Sequence, residues 1–256
     1  MISLEVLRTE QLSPHMVRVV AGGAAFDDFT DNGLADHYVK LVIPRPGVDY
    51  PTPFTMENVQ ASLPREQWPA IRTYTVRRYD PGAREIWIDV VHHGDEGLAG
   101  PWAANAQPGD LMRLRGPGGA YTPLDQADWH LLAGDESALP AIASALEAMP
   151  HGTDVMALIE VAGPADELPL HSPANVDVRW LHRSGGDPSF SAALHALEMR
   201  AGVVQAFVHG ELGQIRDIKA HLLHERGIAP ELLSISGYWR QGKDEDDFQA
   251  AKRTGG

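Results

Sequence analysis

Arg72-Thr73-Tyr74-Thr75-Val76-Arg77 lies between Pro69 and Pro81 and reads as a β-strand. Thr, Tyr and Val all favour strands, so an ordinary strand accounts for the run without any ligand. The same stretch also sets a guanidinium, a flat aromatic ring and a hydroxyl within four consecutive positions. A flavin dinucleotide uses that set. Arg grips phosphate oxygens with paired hydrogen bonds. Tyr gives a face for stacking, and Thr hydrogen-bonds a polar ring edge without titrating.

Around this strand the first half of the chain keeps β-branched and aromatic alternation. Ser3 to Arg8, His15 to Ala21, His37 to Ile43, Glu85 to His93 and Leu111 to Arg115 read as further strands. Six strands with almost no helix between them predict an antiparallel barrel. One short helix is expected near Gly100 to Asn105, with Pro101 in its first turn, after the glycine-bearing turn His93-Gly94-Asp95-Glu96-Gly97. A helix start behind such a turn suits a phosphate group. Pro44 to Pro69 carries six prolines, so regular structure is not expected there.

The rhythm changes near Tyr121-Thr122-Pro123-Leu124. Strands are expected at Trp129 to Ala133, Asp154 to Ala162, Val176 to Leu181, Val203 to His209 and Leu232 to Tyr238. Helices are expected at Ser137 to Met149, Pro188 to Arg200 and Gln214 to Arg226. Such alternation predicts a doubly wound α/β domain with a parallel sheet covered on both faces. The expected organisation is therefore a barrel domain over residues 1–124 and an α/β domain over 125–256, whose tail from Gly242 to Phe248 is acidic.

Composition narrows the function classes. The 256 residues hold 21 Lys and Arg against 35 Asp and Glu, a net charge of −14 that argues against nucleic acid as a partner. With no cysteine, the chain holds no disulfide, thiolate metal site or iron–sulfur cluster. No apolar run suits a membrane helix and the N-terminus lacks signal-peptide character, so a cytoplasmic protein is expected. Twelve histidines raise the question of a metal, but only His221 and His224 share helical spacing and no third ligand is suggested, so none is expected.

Other motifs have plain readings beside functional ones. Gly116-Pro117-Gly118-Gly119 reads as a turn and does not match the GxGxxG fingerprint. Gly134-Asp135-Glu136-Ser137 fits a pyridine-nucleotide position at a strand-to-helix switch, while Ser137 also suits a helix N-cap. Arg183 follows a strand end, where it holds a ribose phosphate and favours NADPH, or simply stands in solvent.

Four stretches together resemble the siderophore-interacting proteins, FAD-dependent ferric-siderophore reductases related to ferredoxin–NADP reductases. They are Arg72 to Arg77; Asp89-Val90-Val91-His92-His93-Gly94 through Gly97-Leu98-Ala99 and Trp102-Ala103 to Gln107-Pro108-Gly109-Asp110; Ala133 to Ile142; and Ser236-Gly237-Tyr238-Trp239-Arg240-Gln241-Gly242. The resemblance covers nearly the whole chain. It implies FAD in the barrel, with Arg72 on phosphate, Tyr74 stacked on the flavin and Thr75 at its polar edge, the last two being the catalytic pair. Thr73, Asp89, Val91, His93, Gly94, Ala99 and Trp102 complete the implied flavin set. Gly134, Asp135, Ser137 and Ala138 are implied at the NAD(P)H site. Strict strand geometry turns Tyr74 and Thr75 to opposite faces, so Thr75 acts through its backbone or the strand twists there. Leu98-Ala99-Gly100-Pro101 departs from the family's usual Gly-Pro-Ala order before the helix.

For the substrate, an anionic ferric siderophore, the resemblance implies basic side chains above the flavin: Lys40, with Arg115 and either Arg240 or Lys243. The implied donor is NADPH, NADH or ferredoxin, and a monomer is expected. Two rival readings stand beside this one. One is a ferredoxin or flavin reductase with another acceptor, although relatives of that kind commonly carry a cysteine near the nicotinamide and this chain has none. The other is a non-catalytic protein that binds ferric chelates.

Overall fold

The computed structural model describes residues 1–94 and 97–242. Lys243, read above as a substrate contact, and the acidic tail after Gly242 lie outside the described residues. The chain forms two compact units: Met1–Glu10, Val17–Asp31 and Tyr38–Gly118 make the first, and Gln11–Met16, Asn32–His37 and the residues from Gly119 onward make the second.

The first unit is built on a closed barrel of six strands, β1 (Ile2–Ser13), β2 (Met16–Gly22), β3 (Tyr38–Ile43), β4 (Ala70–Asp80), β5 (Glu85–Val91) and β6 (Leu111–Gly118), in the order β1-β2-β5-β4-β3-β6. Neighbours β3–β4, β4–β5, β3–β6 and β1–β6 run antiparallel, as the alternating pattern predicts. Alternate residues point inward. Leu4 and Val6 of β1, Val39 and Leu41 of β3, Ile86, Ile88 and Val90 of β5, and Met112 and Leu114 of β6 fill one core.

Two expectations for this unit are corrected. The proline-rich segment holds a helix, α1 (Met56–Ser62), capped by Thr55, whose side chain accepts from the Asn58 N–H. Its prolines flank the helix without entering it, so they remove no helical hydrogen bond. The glycine run after Arg115 does not turn. It extends β6 through a bulge, because Lys40 pairs with Arg115 while Tyr38 pairs with Gly118. Gly118 is glycine for space: a Cβ there would lie 2.5 Å from Tyr38 Cζ. The expected short helix is α2 (Ala99–Asn105).

The second unit holds a parallel sheet of β7 (Trp129–Asp135), β8 (Asp154–Val161), β9 (Asn175–His182), β10 (Val204–Glu211) and β11 (Leu233–Trp239), ordered β11-β10-β7-β8-β9. Helices α3 (Leu139–Glu147), α4 (Phe190–His195) and α5 (Leu212–Ala220) cover both faces. Leu131 and Ala133 share a core with Phe190 of α4 and Ile215 of α5. On the other face a Cβ at Gly134 would lie 2.6 Å from Ala138 and 3.4 Å from Ile142 of α3.

Helix boundaries differ from the periodic pattern. The α4 helix stops at His195, and Arg226 donates to the carbonyls of His195 and Leu197 just beyond it. The α5 helix gives way to a π turn over His221–Glu225. Ser137 caps nothing. The α3 helix starts two residues later, and the Ser137 backbone N–H and hydroxyl both donate to Asp135 Oδ1.

Candidate functional site

On β4, Tyr74 pairs with Val39 and Arg72 with Leu41, so both side chains share the face of those core residues. Thr75 pairs with Tyr38 and Thr73 with Lys40, on the opposite face. The strand keeps strict alternation through this stretch, and the Thr75 side chain is turned away from that of Tyr74. Arg72 is buried, its Nη1 donating to Ile71 O at 3.1 Å, while Tyr74 is half-buried against the core.

The rest of the implied flavin set is more dispersed. The Asp89 carboxylate is buried and held by both ends of the Arg18 guanidinium at 2.7 Å, so its side chain is committed to the barrel wall. Arg18 in turn lies 4.6 Å from the Trp87 ring centre. Val91 ends β5 half-buried, and His93 and Gly94 are exposed beyond it. Ala99 and Trp102 lie on α2, the first buried in the core and the second packed against it. Helix α2 approaches β5 through Gly100, where a Cβ would come within 3.0 Å of His92 Cβ.

The structure brings two of the implied substrate contacts together. Lys40 and Arg115 are direct partners in the β3–β6 ladder and both are exposed, with Thr73 beside Lys40 on the same face. Arg113, two residues along β6, shares that face and stacks 4.5 Å from the Phe54 ring. Burial pushes its guanidinium down from the ordinary range. Sequence reasoning missed Arg113, although the alternation Arg113-Leu114-Arg115 displays it. Arg240 is exposed and follows β11 in the second unit.

In the second unit the turn after β7, Gly134 to Ser137, is organised around Asp135. Its Oδ1 accepts from Ser137; its Oδ2 accepts from the Glu211 N–H at 2.9 Å and the Trp239 indole at 2.7 Å. One carboxylate thus ties together the carboxyl ends of β7, β10 and β11. Burial pushes the Asp135 carboxyl up to about 6, against hydrogen bonds from Ser137 and Trp239 that favour its charged form. Gly210 makes room for it, since a Cβ there would lie 2.7 Å from Oδ2. Gly134 is equally constrained, because a Cβ there would also come within 2.5 Å of His209 O, and Ala138 is fully buried beneath it.

Arg183 stays exposed, but its guanidinium is ion-paired. Glu136 grips both of its terminal nitrogens, with Nη1 to Oε2 at 2.7 Å, and Glu160 Oε2 lies 3.2 Å from Nη1. These carboxylates raise its pKa further above the ordinary guanidinium range. Among the described residues, no group of three or more His, Asp or Glu side chains is arranged to hold a metal. None of the described helices is long and apolar enough to cross a membrane.

Sequence comparison matches residues 5–121 to the siderophore-interacting FAD-binding domain and residues 127–242 to the siderophore-interacting protein domain. The chain belongs to the siderophore-interacting protein family. This siderophore-interacting protein is 31% identical to a ferric vibriobactin reductase of Vibrio cholerae, over 96% of this chain and 91% of that one. It is 30% identical to an NADPH-dependent ferric-chelate reductase of Escherichia coli, over 92% and 91% of the two chains. A siderophore utilization protein from T. fusca superposes with a TM-score of 0.81 at 37% identity, over 94% of this chain and 93% of that one. The fold is also that of the FAD/NAD-binding domain of a nitric oxide dioxygenase from Vibrio cholerae and of a ferredoxin reductase of carbazole 1,9a-dioxygenase, at 16% and 14% identity.

Proposed function

We propose that this protein is an FAD-dependent reductase that releases iron from ferric siderophores, with electrons from NAD(P)H. The observation that carries this reading is the pairing of Lys40 with Arg115 beside the β4 strand bearing Arg72 and Tyr74, in a chain of this family. The pair sets adjacent positive charge on an otherwise strongly acidic protein, and such a patch raises the local concentration of an anionic chelate.

The donor set on β4 fits FAD: Arg72 for phosphate, Tyr74 for the ring face, and Thr75 through its backbone. Residues 1–124 serve as the flavin domain and 125–256 as the NAD(P)H domain. Bound FAD supplies hydride acceptance and single-electron delivery. Tyr74 fixes the plane of the ring, and Lys40 and Arg115, on the opposite face of the β3–β4 ladder, attract the anionic chelate. Ferric iron is a hard ion held by oxygen donors, and one electron lowers its charge and weakens that hold. One NAD(P)H therefore reduces two ferric centres, leaving NAD(P)+ and one proton, with the siderophore intact. The same reading assigns the protein to the cytoplasm as a monomer, with ferredoxin as the alternative donor.

The test is iron release by the FAD-loaded protein, followed with a ferrous-specific dye under NADH or NADPH. Ferric siderophore should be reduced faster than soluble quinone or ferredoxin, and ferrous iron should appear in proportion to donor consumed. Preference for a quinone would support the general flavin reductase instead.

A further inference from the structure

We propose that the donor site selects NADH over NADPH, through the cluster that Arg183 forms with Glu136 and Glu160. The inference rests on the reading that NAD(P)H drives the flavin. In the second sheet the chain steps outward from β7 to β8 and β9, then returns to place β10 beside β7. Ligands of such sheets bind outside the carboxyl ends of the strands, at that reversal. An acid near the end of the second strand holds the ribose hydroxyls of NAD, and a nearby arginine accommodates the 2′-phosphate of NADP.

Both residue types are present, and they are bound to each other. Glu160 lies one residue from the end of β8, and Arg183 follows β9 directly. Glu136 occupies both terminal nitrogens of Arg183 and Glu160 lies against one of them. Glu136 and Glu160 are 9% and 5% exposed, so withdrawing the arginine would leave two carboxylates buried without their counter-charge. Glu160 is fixed further by the Phe190 N–H, which donates to Oε1 at 2.9 Å. The other basic groups of β9 are engaged as well: His182 contacts Glu167 at 2.8 Å and Arg179 contacts Asp177 at 3.1 Å.

Charge then decides between the donors. One guanidinium against two carboxylates leaves the cluster net negative. A phosphate monoester bearing about −1.5 to −2 charge meets repulsion there. A ribose 2′-hydroxyl is neutral and donates to a carboxylate without displacing Arg183. Arginine at this position therefore acts as the counter-ion of the acids.

Two measurements on the FAD-loaded full chain test this. The first is calorimetric titration with ADP and with adenosine 2′,5′-bisphosphate; the second is anaerobic flavin reduction by NADH and by NADPH. ADP should bind at least about tenfold more tightly than the bisphosphate, and NADH should show a similar advantage in kcat/KM. Glu136→Gln should raise the NADPH-to-NADH ratio by about tenfold, because it removes one of the two negative charges. Equal or tighter binding of the bisphosphate, or a selective loss of NADPH activity in Arg183→Ala, overturns the proposal and leaves the reductase reading standing. If neither nucleotide bleaches the flavin and neither adenosine probe binds, both fall together.

Discussion

The two units handle their cations in opposite ways. On the barrel, Lys40, Arg113 and Arg115 share one face, and among the described residues none of the three has a carboxylate partner. In the α/β unit, Arg183 is held by two carboxylates near the carboxyl ends of β7, β8 and β9. An uncompensated cation on a protein of net charge −14 is available to an anionic ligand. A compensated one shapes a site and excludes anions from it. The lesson is that the residue type does not declare a phosphate site; the occupancy of its donors does.

The largest expected effect tests the barrel side of that contrast. If Arg72 holds the flavin phosphate as proposed, Arg72→Ala should purify with about tenfold less flavin absorbance per mole of protein. Full FAD occupancy in this variant would remove Arg72 from the site.

Asp135 comes next. Asp135→Ala should lower stability by about 2–4 kcal/mol in chemical denaturation, because the donors of Ser137, Glu211 and Trp239 lose their shared buried acceptor. The pH dependence has a definite sign. The folded pKa of about 6 lies above the ordinary value of 3.8, so the folded state holds this proton more tightly. Wild type should therefore gain stability relative to Asp135→Asn as pH falls from 7 towards 4, and lose that gain as pH rises through about 6. A gap independent of pH would contradict the burial of this carboxylate.

The cations proposed for the substrate should act more gently. Lys40→Ala and Arg115→Ala should each raise KM for an anionic ferric chelate by about three- to tenfold, with the increase shrinking at high salt. A change in kcat alone would place these residues elsewhere in the cycle. Smallest is Thr55→Ala, which should cost about 1 kcal/mol of local stability at α1, read by hydrogen exchange of the α1 amides.

Much of this was legible in the residues. The six barrel strands lie where alternation places them, and the five sheet strands where short apolar runs separate helical stretches, β7, β8 and β10 being buried on both faces. Misreadings came where a local rule met a tertiary constraint. Proline density hid α1, although Thr55 and a proline-free turn mark it. Gly116 and Gly118 looked like a turn, but serve a bulge and the space taken by the Tyr38 ring. Ser137 looked like a cap until Asp135 claimed its donors. The ion pairs of Arg183 join residues 47 and 23 positions apart, a proximity that no local pattern encodes. Family resemblance supplied the functional class; only the fold displayed which side chains are neighbours.

The most direct test of the account is an anaerobic visible spectrum of the purified protein, taken before donor, after donor, and after ferric siderophore. The account predicts a flavin spectrum that bleaches with NADH and returns as ferric chelate is added, with ferrous iron released in step. A protein without flavin that also refuses added FAD, or a bleached flavin that ferric siderophore leaves unchanged, would contradict it.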